Sequence, residues 1–358
     1  MRRRFVALSL TGAALAIAVV RAFEIGALPV ITGDVVRNLL YGVAVAEWGP
    51  ASAAKPLAEL SAGWAGASWA HLPYGYPPLA LAFFALVAAL SPTVFAAKLA
   101  LTGIEAANSV LVARLTGSRW LGVAYWASPA SLWWVSREGQ FEPLQSLFTL
   151  LALLALPAAP VAAGVSLAAA VQVKVTALAL APWLAHRAWA TGRRAAGQLA
   201  LGFAVGLVPS LWAELAWGGV TNVLRFGAPL TYNPYYWSWA APMFSWNPGW
   251  LIACDQLASW GVLAALVTYA VRARSAWSVT APILFVLFCK THSNVQFWYW
   301  LLFAPLCVPI EDRRWRLALI AAAPLLDVSS AVSLVGWPVG EHGFRGAASV
   351  FFAYEVPR

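Results

Sequence analysis

Long apolar runs separated by short polar intervals make up most of this chain. The runs cover residues 5–20, 77–90, 94–115, 120–135, 141–156, 161–184, 199–217, 250–271, 277–289, 297–310 and 317–335. A helix needs roughly 20 apolar residues to cross the hydrocarbon core of a bilayer. The pattern therefore predicts an all-α polytopic membrane protein, a bundle of about 10–11 transmembrane helices in one integral domain over residues 1–358. Two polar intervals are too long for simple turns. The first, 21–76, is expected to be an external loop carrying short interfacial helices, and 218–247 a second large external loop. The run at 5–20 is followed at once by Arg21, and its small-x-small triplets lie inside the apolar stretch, so a retained first span is expected rather than a cleaved signal.

Two runs depart from the simple pattern. The run at 77–90 is short and opens on Pro77-Pro78, which suits a half-helix that dips into the membrane and returns. The run at 161–184 holds Lys174 at its centre. A charge at mid-membrane is expensive, so two short helices meeting at Lys174 are expected. A competing topology makes both runs full spans and moves 139–142 to the cytoplasmic side.

Composition narrows the class. With 61% hydrophobic residues, 10% charged residues and a mean hydropathy of +0.72, the chain lies outside soluble globular norms. The net charge of +9 does not point to nucleic acid, because the basic residues cluster where cytoplasmic loops are expected: Arg2–Arg4, Arg187 with Arg193 and Arg194, Arg272 with Arg274, and Arg313 to Arg316. That orientation puts 21–76 outside. The expected location is a multi-pass cell membrane protein with its site on the extracytoplasmic face, or the ER lumen in a eukaryote. Cys254, Cys289 and Cys307 have no metal-like spacing. Tryptophans such as Trp69, Trp183, Trp217, Trp237 and Trp315 bracket the runs as an interfacial belt does.

The preferred topology gathers the costly polar groups on one face: Asp34, Arg37, His71, Tyr74, Tyr76, Arg137, Gln140, Glu142, Lys174, Lys290, His292 and Gln296. Acids, bases and aromatics together suit an anionic, hydroxyl-rich substrate. Each residue also has a plainer reading. Asp34 fits the N-cap of a helix beginning at Val35, Glu142 a loop salt bridge with Arg137, and Lys174 a snorkelling side chain. His71 and His292 fit interfacial histidines, Tyr74 and Tyr76 belt residues, and Gln296 with Trp300 a packing pair. No nucleotide-binding, HExxH or cysteine-rich metal motif is present.

At these residues the chain resembles the GT-C superfamily of membrane glycosyltransferases, which take sugars from polyprenyl phosphates. Its motif order is similar to that of the GPI mannosyltransferase I catalytic subunit and prokaryotic polyprenol-phosphate-mannose transferases. The resemblance runs from Asp34 to Pro305. It rests on Gly33-Asp34, Tyr74-Gly-Tyr-Pro-Pro78, Ser128-Pro129 with Gly139-Gln-Phe-Glu-Pro-Leu144, the glycine-containing helix from Gly164 to Lys174, and Lys290-Thr-His-Ser-Asn-Val-Gln-Phe-Trp-Tyr-Trp300. What it implies is an inverting glycosyltransferase moving a hexose, with mannose expected, from a polyprenyl or dolichyl phosphate to a hydroxyl of a glycan, glycolipid or protein acceptor. Asp34 would be the general base and Glu142 its assistant. Lys174, Lys290, Arg137 and His292 would neutralise the donor phosphate. Tyr74, Tyr76, His71, Gln140, Gln296 and Trp300 would hold sugar or acceptor. Many relatives carry Asp-x-Asp in the first loop, whereas Val36 follows Val35 here. A divalent metal, Mg2+ or Mn2+ on Asp34 and Glu142, is thus an option and no cofactor is required. The other readings are a secondary transporter or lipid-linked-sugar flippase, and a noncatalytic subunit of a glycosyltransferase complex.

Overall fold

The structure is a computed structural model that describes residues 2–27, 33–67, 69–222, 249–273, 276–291 and 297–323. The loop expected at 218–247 and the tail from 336 therefore lie largely or wholly outside the described residues. Among the described residues every regular element is helical and no strand occurs.

Helix α1 (Arg2–Gly26) leads into the first polar interval, where α2 (Asp34–Trp48) begins. Short turns follow: a 3-10 turn at Pro50–Ala54, α3 (Leu57–Leu60) and a 3-10 turn at Ala62–Trp64. The interval thus carries short helical pieces, as its mixture of proline, glycine and apolar residues predicts. Helix α4 (Pro78–Leu90) begins on the proline pair, whose missing N–H groups are harmless in a first turn. It packs along α2.

Helix α5 (Val94–Thr116) starts on a Thr93 side-chain cap and ends where Gly117 takes a left-handed φ of 66°. Helix α6 (Arg119–Trp126) and the single turn α7 (Pro129–Ser131) lead into a π-helical turn at Leu132–Arg137. Helix α8 (Glu142–Ala155) comes next. The run at 161–184 is broken as expected: α9 (Pro160–Val171) ends before Lys174, which is extended at φ −151° and ψ 139°. A 3-10 turn at Val175–Leu180 then leads into α10 (Ala181–Thr191).

Helices α11 (Arg193–Gly206) and α12 (Val208–Trp217) follow with only Leu207 between them. Together with α5 they form the two described helices long and apolar enough to cross a membrane. Only 17% of the most apolar stretch of α11–α12 is buried. Leu201, Val205, Val208, Leu211 and Leu215 form an exposed apolar stripe at helical spacing. On its inner side α11 meets α9 almost backbone to backbone: a Cβ on Gly202 would lie 2.0 Å from Val161 O, so only glycine fits there. The later helices are Gly249–Arg272, Thr280–Thr291, Phe303–Cys307 and Arg313–Ala322.

Candidate active site

Three elements converge at the start of α2. Asp34 is the first residue of that helix, with Gly33 in the capping position, so Asp34 does not cap a helix beginning at Val35. A carboxylate in a first turn faces the positive end of the helix dipole. Asp34 Oδ2 accepts from Gln140 Nε2 at 3.2 Å. Gln140 reaches it because Gly139 takes φ +73° and packs onto the same helix; a Cβ there would lie 2.8 Å from Val35 Cβ. The second element is the start of α8, where Glu142 Oε1 accepts from Lys174 Nζ. Both residues of this ion pair are buried.

The third element is the helix break. Its extended backbone at Lys174 is held from α8, because Gln145 Nε2 donates to Lys174 O at 2.7 Å and to Thr176 Oγ1 at 2.8 Å. Leu79 N donates to Gln172 O at 3.2 Å, which ties the start of α4 to the same break. The Lys174 ammonium faces the rings of Tyr299 at 4.3 Å, Phe141 at 4.7 Å and Tyr76 at 5.6 Å. Cation–π attraction strengthens when the site is desolvated, so the cage and Glu142 together compensate a buried charge.

Electrostatics link the groups. Although part of Asp34's surface is open, surrounding atoms desolvate its carboxyl group and raise it above the ordinary carboxylate range; the Gln140 bond and the charges of Arg37 and Lys174 act in the opposite direction. Arg37 is buried, donates to Pro73 O at 2.8 Å and lies 5.2 Å over the Tyr41 ring.

Of the residues singled out from sequence, Asp34, Gln140, Glu142, Lys174 and Tyr76 come together. Tyr74 stands one layer behind, edge-on to Tyr76 at 5.9 Å and to Tyr41 at 5.1 Å. Arg137 is elsewhere: it pairs with Glu24 at 3.0 Å and lies over Trp133, so neither it nor Glu142 makes the salt bridge considered between them. His71 is exposed beside Trp69. Trp300 packs on Phe285 and Phe303 and lines a different pocket, next to Glu105 and Tyr125. Its neighbour Tyr299 is the residue at Lys174. Lys290 lies in the helix Thr280–Thr291, but its side chain, together with His292 and Gln296, falls outside the described residues.

Sequence reasoning missed Phe141, Gln145, Tyr299 and Asn38. The last is fully buried one helical turn beyond Asp34, and neither polar atom of its amide meets a partner among the described residues. Its spacing of four residues from Asp34 was the available signal.

Comparison with protein-family models, curated proteins and solved structures yields no match. The chemistry must therefore be read from the arrangement itself. It offers a carboxylate with raised proton affinity, a caged ammonium held by a second carboxylate, and aromatic surfaces. For a dication the fit is poor: Lys174 already occupies Glu142, and among the described residues no group of three or more His, Cys, Asp or Glu converges.

Proposed function

We propose that this chain is a multi-pass membrane glycosyltransferase that moves a hexose, mannose by the resemblance, from a polyprenyl phosphate to a hydroxyl acceptor at the extracytoplasmic face, with inversion. The observation that carries this reading is the juxtaposition of Asp34 with the caged Lys174–Glu142 pair. A glycosyl transfer with a phosphate leaving group asks for a base at the attacking hydroxyl and a cation at the departing oxygen, and these two groups answer those needs. Asp34 takes the proton of the acceptor hydroxyl as that oxygen attacks the anomeric carbon. The bond to the lipid phosphate breaks, and its charge develops against Lys174. Tyr76 and Tyr299 flank the cation with ring faces on which a sugar can stack. Lys290 and His292 are further candidates for the phosphate.

The membrane part of the proposal is supported by the exposed apolar stripe on α11–α12 and by the glycine-mediated contact of α9 with α11. In water a contiguous exposed apolar face is a liability, and small residues at helix contacts are typical of packing in lipid. The bundle of about ten or eleven spans, the first external loop over 21–76 and the extracytoplasmic site belong to this proposal.

A secondary transporter or lipid-linked-sugar flippase is the second reading, favoured by the helix broken at Lys174, as transporter sites often are. One assay separates the two. Purified protein in lipid nanodiscs is given labelled polyprenyl-phosphate mannose and a hydroxyl acceptor. Label transferred by the wild type and lost in Asp34→Asn is the expected result. Wild-type rates in Asp34→Asn would overturn the base, and movement of the lipid across proteoliposomes without transfer would replace the enzyme reading with the transporter. Neither activity would leave the noncatalytic subunit.

A further inference from the structure

Arg21, near the end of α1, is 1% exposed, and its bonds explain a local oddity of the fold. Its guanidinium donates to Ser136 Oγ at 2.7 Å through one nitrogen, and to Ser131 Oγ at 2.8 Å and Trp126 O at 2.6 Å through the other. Its plane lies 3.8 Å from the centre of the Trp126 ring. Ser131 in turn donates to Glu105 Oε1, while Glu105 Oε2 accepts from Tyr125 Oη at 3.0 Å and from Asn108 Nδ2 at 3.1 Å. A buried cation and a buried anion are thus joined through a serine hydroxyl.

The two serines held by Arg21 are five residues apart: Ser131 immediately precedes the π-helical turn and Ser136 lies within it. In an α-helix, residues five apart point roughly 140° away from each other, beyond the reach of one planar fork. A π turn, with its i to i+5 bonding, brings them onto one face. The bonding is there: Glu138 N donates to Trp133 O at 3.0 Å. The chain leaves this turn through Gly139 and Gln140, so its winding sets where Gln140 points.

We propose that Arg21 is a positioning residue: by holding Ser131 and Ser136 together it selects π over α winding at 132–137 and so sets the register in which Gln140 meets Asp34. Loss of the fork lets the segment rewind and turns Gln140 away by roughly one residue, about 100°. Asp34 then keeps the charges of Arg37 and Lys174, and its neighbours Tyr76 and Glu142, but loses the bond that favours its ionised form. The activity readout rests on Asp34 being the base; the backbone readout does not.

The test uses the full chain in nanodiscs and compares Arg21→Lys, Ser136→Ala and Arg21→Met. Arg21→Lys keeps the charge and loses the fork, so it stays informative if Arg21→Met fails to insert. The expected result is about tenfold faster amide hydrogen exchange across 134–142 in Arg21→Lys, where Gln140 N bonds Trp134 O at 2.8 Å in the intact protein. The acid limb of kcat/KM should also move up by about one pH unit, as in Gln140→Leu, with no further shift in the double variant. Wild-type exchange in Arg21→Lys and in Ser136→Ala would overturn the proposal, since charge alone would then hold the turn. If Asp34→Asn retains transfer, the base assignment falls and the exchange measurement alone decides the role of Arg21.

Discussion

Asp34 and Lys174 are each tuned by a partner from another segment, Gln140 and Glu142, and the two partners give different expectations. Gln140 and nearby cations oppose the burial that raises Asp34's proton affinity. A base works in its ionised form, so activity rises with pH through the folded-state pKa, and kcat/KM reports that value for the free enzyme. The acid limb is expected above the ordinary carboxylate range, and above it again in Gln140→Leu. A limb at the ordinary carboxylate value of about 4 would show that burial does not raise the proton affinity of the base. Glu142, by contrast, competes with any phosphate for the Lys174 ammonium. Removing one member of a buried pair leaves the other charge uncompensated. Glu142→Gln should therefore tighten binding of a short-chain prenyl phosphate by about tenfold, and Lys174→Met should weaken it by a similar factor, both read by titration calorimetry. Equal affinities across the three proteins would separate Lys174 from phosphate. At this scale the sequence revealed residue types rather than partners. A lysine inside an apolar run is conspicuous by its cost, whereas the pairing of Glu142 with that lysine rather than with Arg137 follows from how α8 docks beside the broken helix. Tyr299 and Trp300 differ by one step in a 3-10 turn, and no periodicity in Phe297–Leu302 tells which ring faces the cation.

Among the elements, the helix break at Lys174 and the short α4 were legible because proline, lysine and run length act locally. The π turn at Leu132–Arg137 was not, since its winding depends on Arg21, more than a hundred residues away. Its exit residue, Gly139, joins the two scales. Its φ of +73° is strained for any residue with a Cβ, and the space a Cβ would need is taken by Val35 at 2.8 Å. Gly139→Ala is expected to lower stability by about 1–3 kcal/mol and to reduce kcat/KM beyond any effect on folding, because it pushes Gln140 from Asp34. Gly103→Ala, at a helix position with open space around the added carbon, serves as the control. Melting points and kinetics in nanodiscs measure both, and identical kinetics for the two variants would show that the approach of Gly139 to α2 is dispensable.

At the scale of the whole molecule, the same contacts constrain which segments cross a membrane. Lys98, in the second turn of α5, donates to Glu24 O at 2.8 Å and Ala27 O at 2.5 Å, at the end of α1. Gly139 packs on both Val35 and the Lys98 stem. The end of α1, the start of α2, the start of α5 and the exit of the π turn therefore lie together. In the proposed orientation, with Arg2–Arg4 inside and α1 ending outside, this contact requires α5 to begin outside as well. On that proposal no net crossing fits between residues 27 and 98, α4 is expected to start and finish on one side, and Arg114 in the last turn of α5 and Arg119 at the start of α6 are expected in the cytoplasm. Lys55, Pro92 and Arg193 are exposed. Single cysteines at those three positions, in a chain with Cys254, Cys289 and Cys307 replaced, can be probed with an impermeant maleimide on intact cells. Lys55→Cys and Pro92→Cys are expected to react directly, and Arg193→Cys only after permeabilisation. If Pro92→Cys also required permeabilisation, α4 would be a full span, α5 would run the other way, and the cluster joining α1, α2 and α5 could not lie on the extracytoplasmic face.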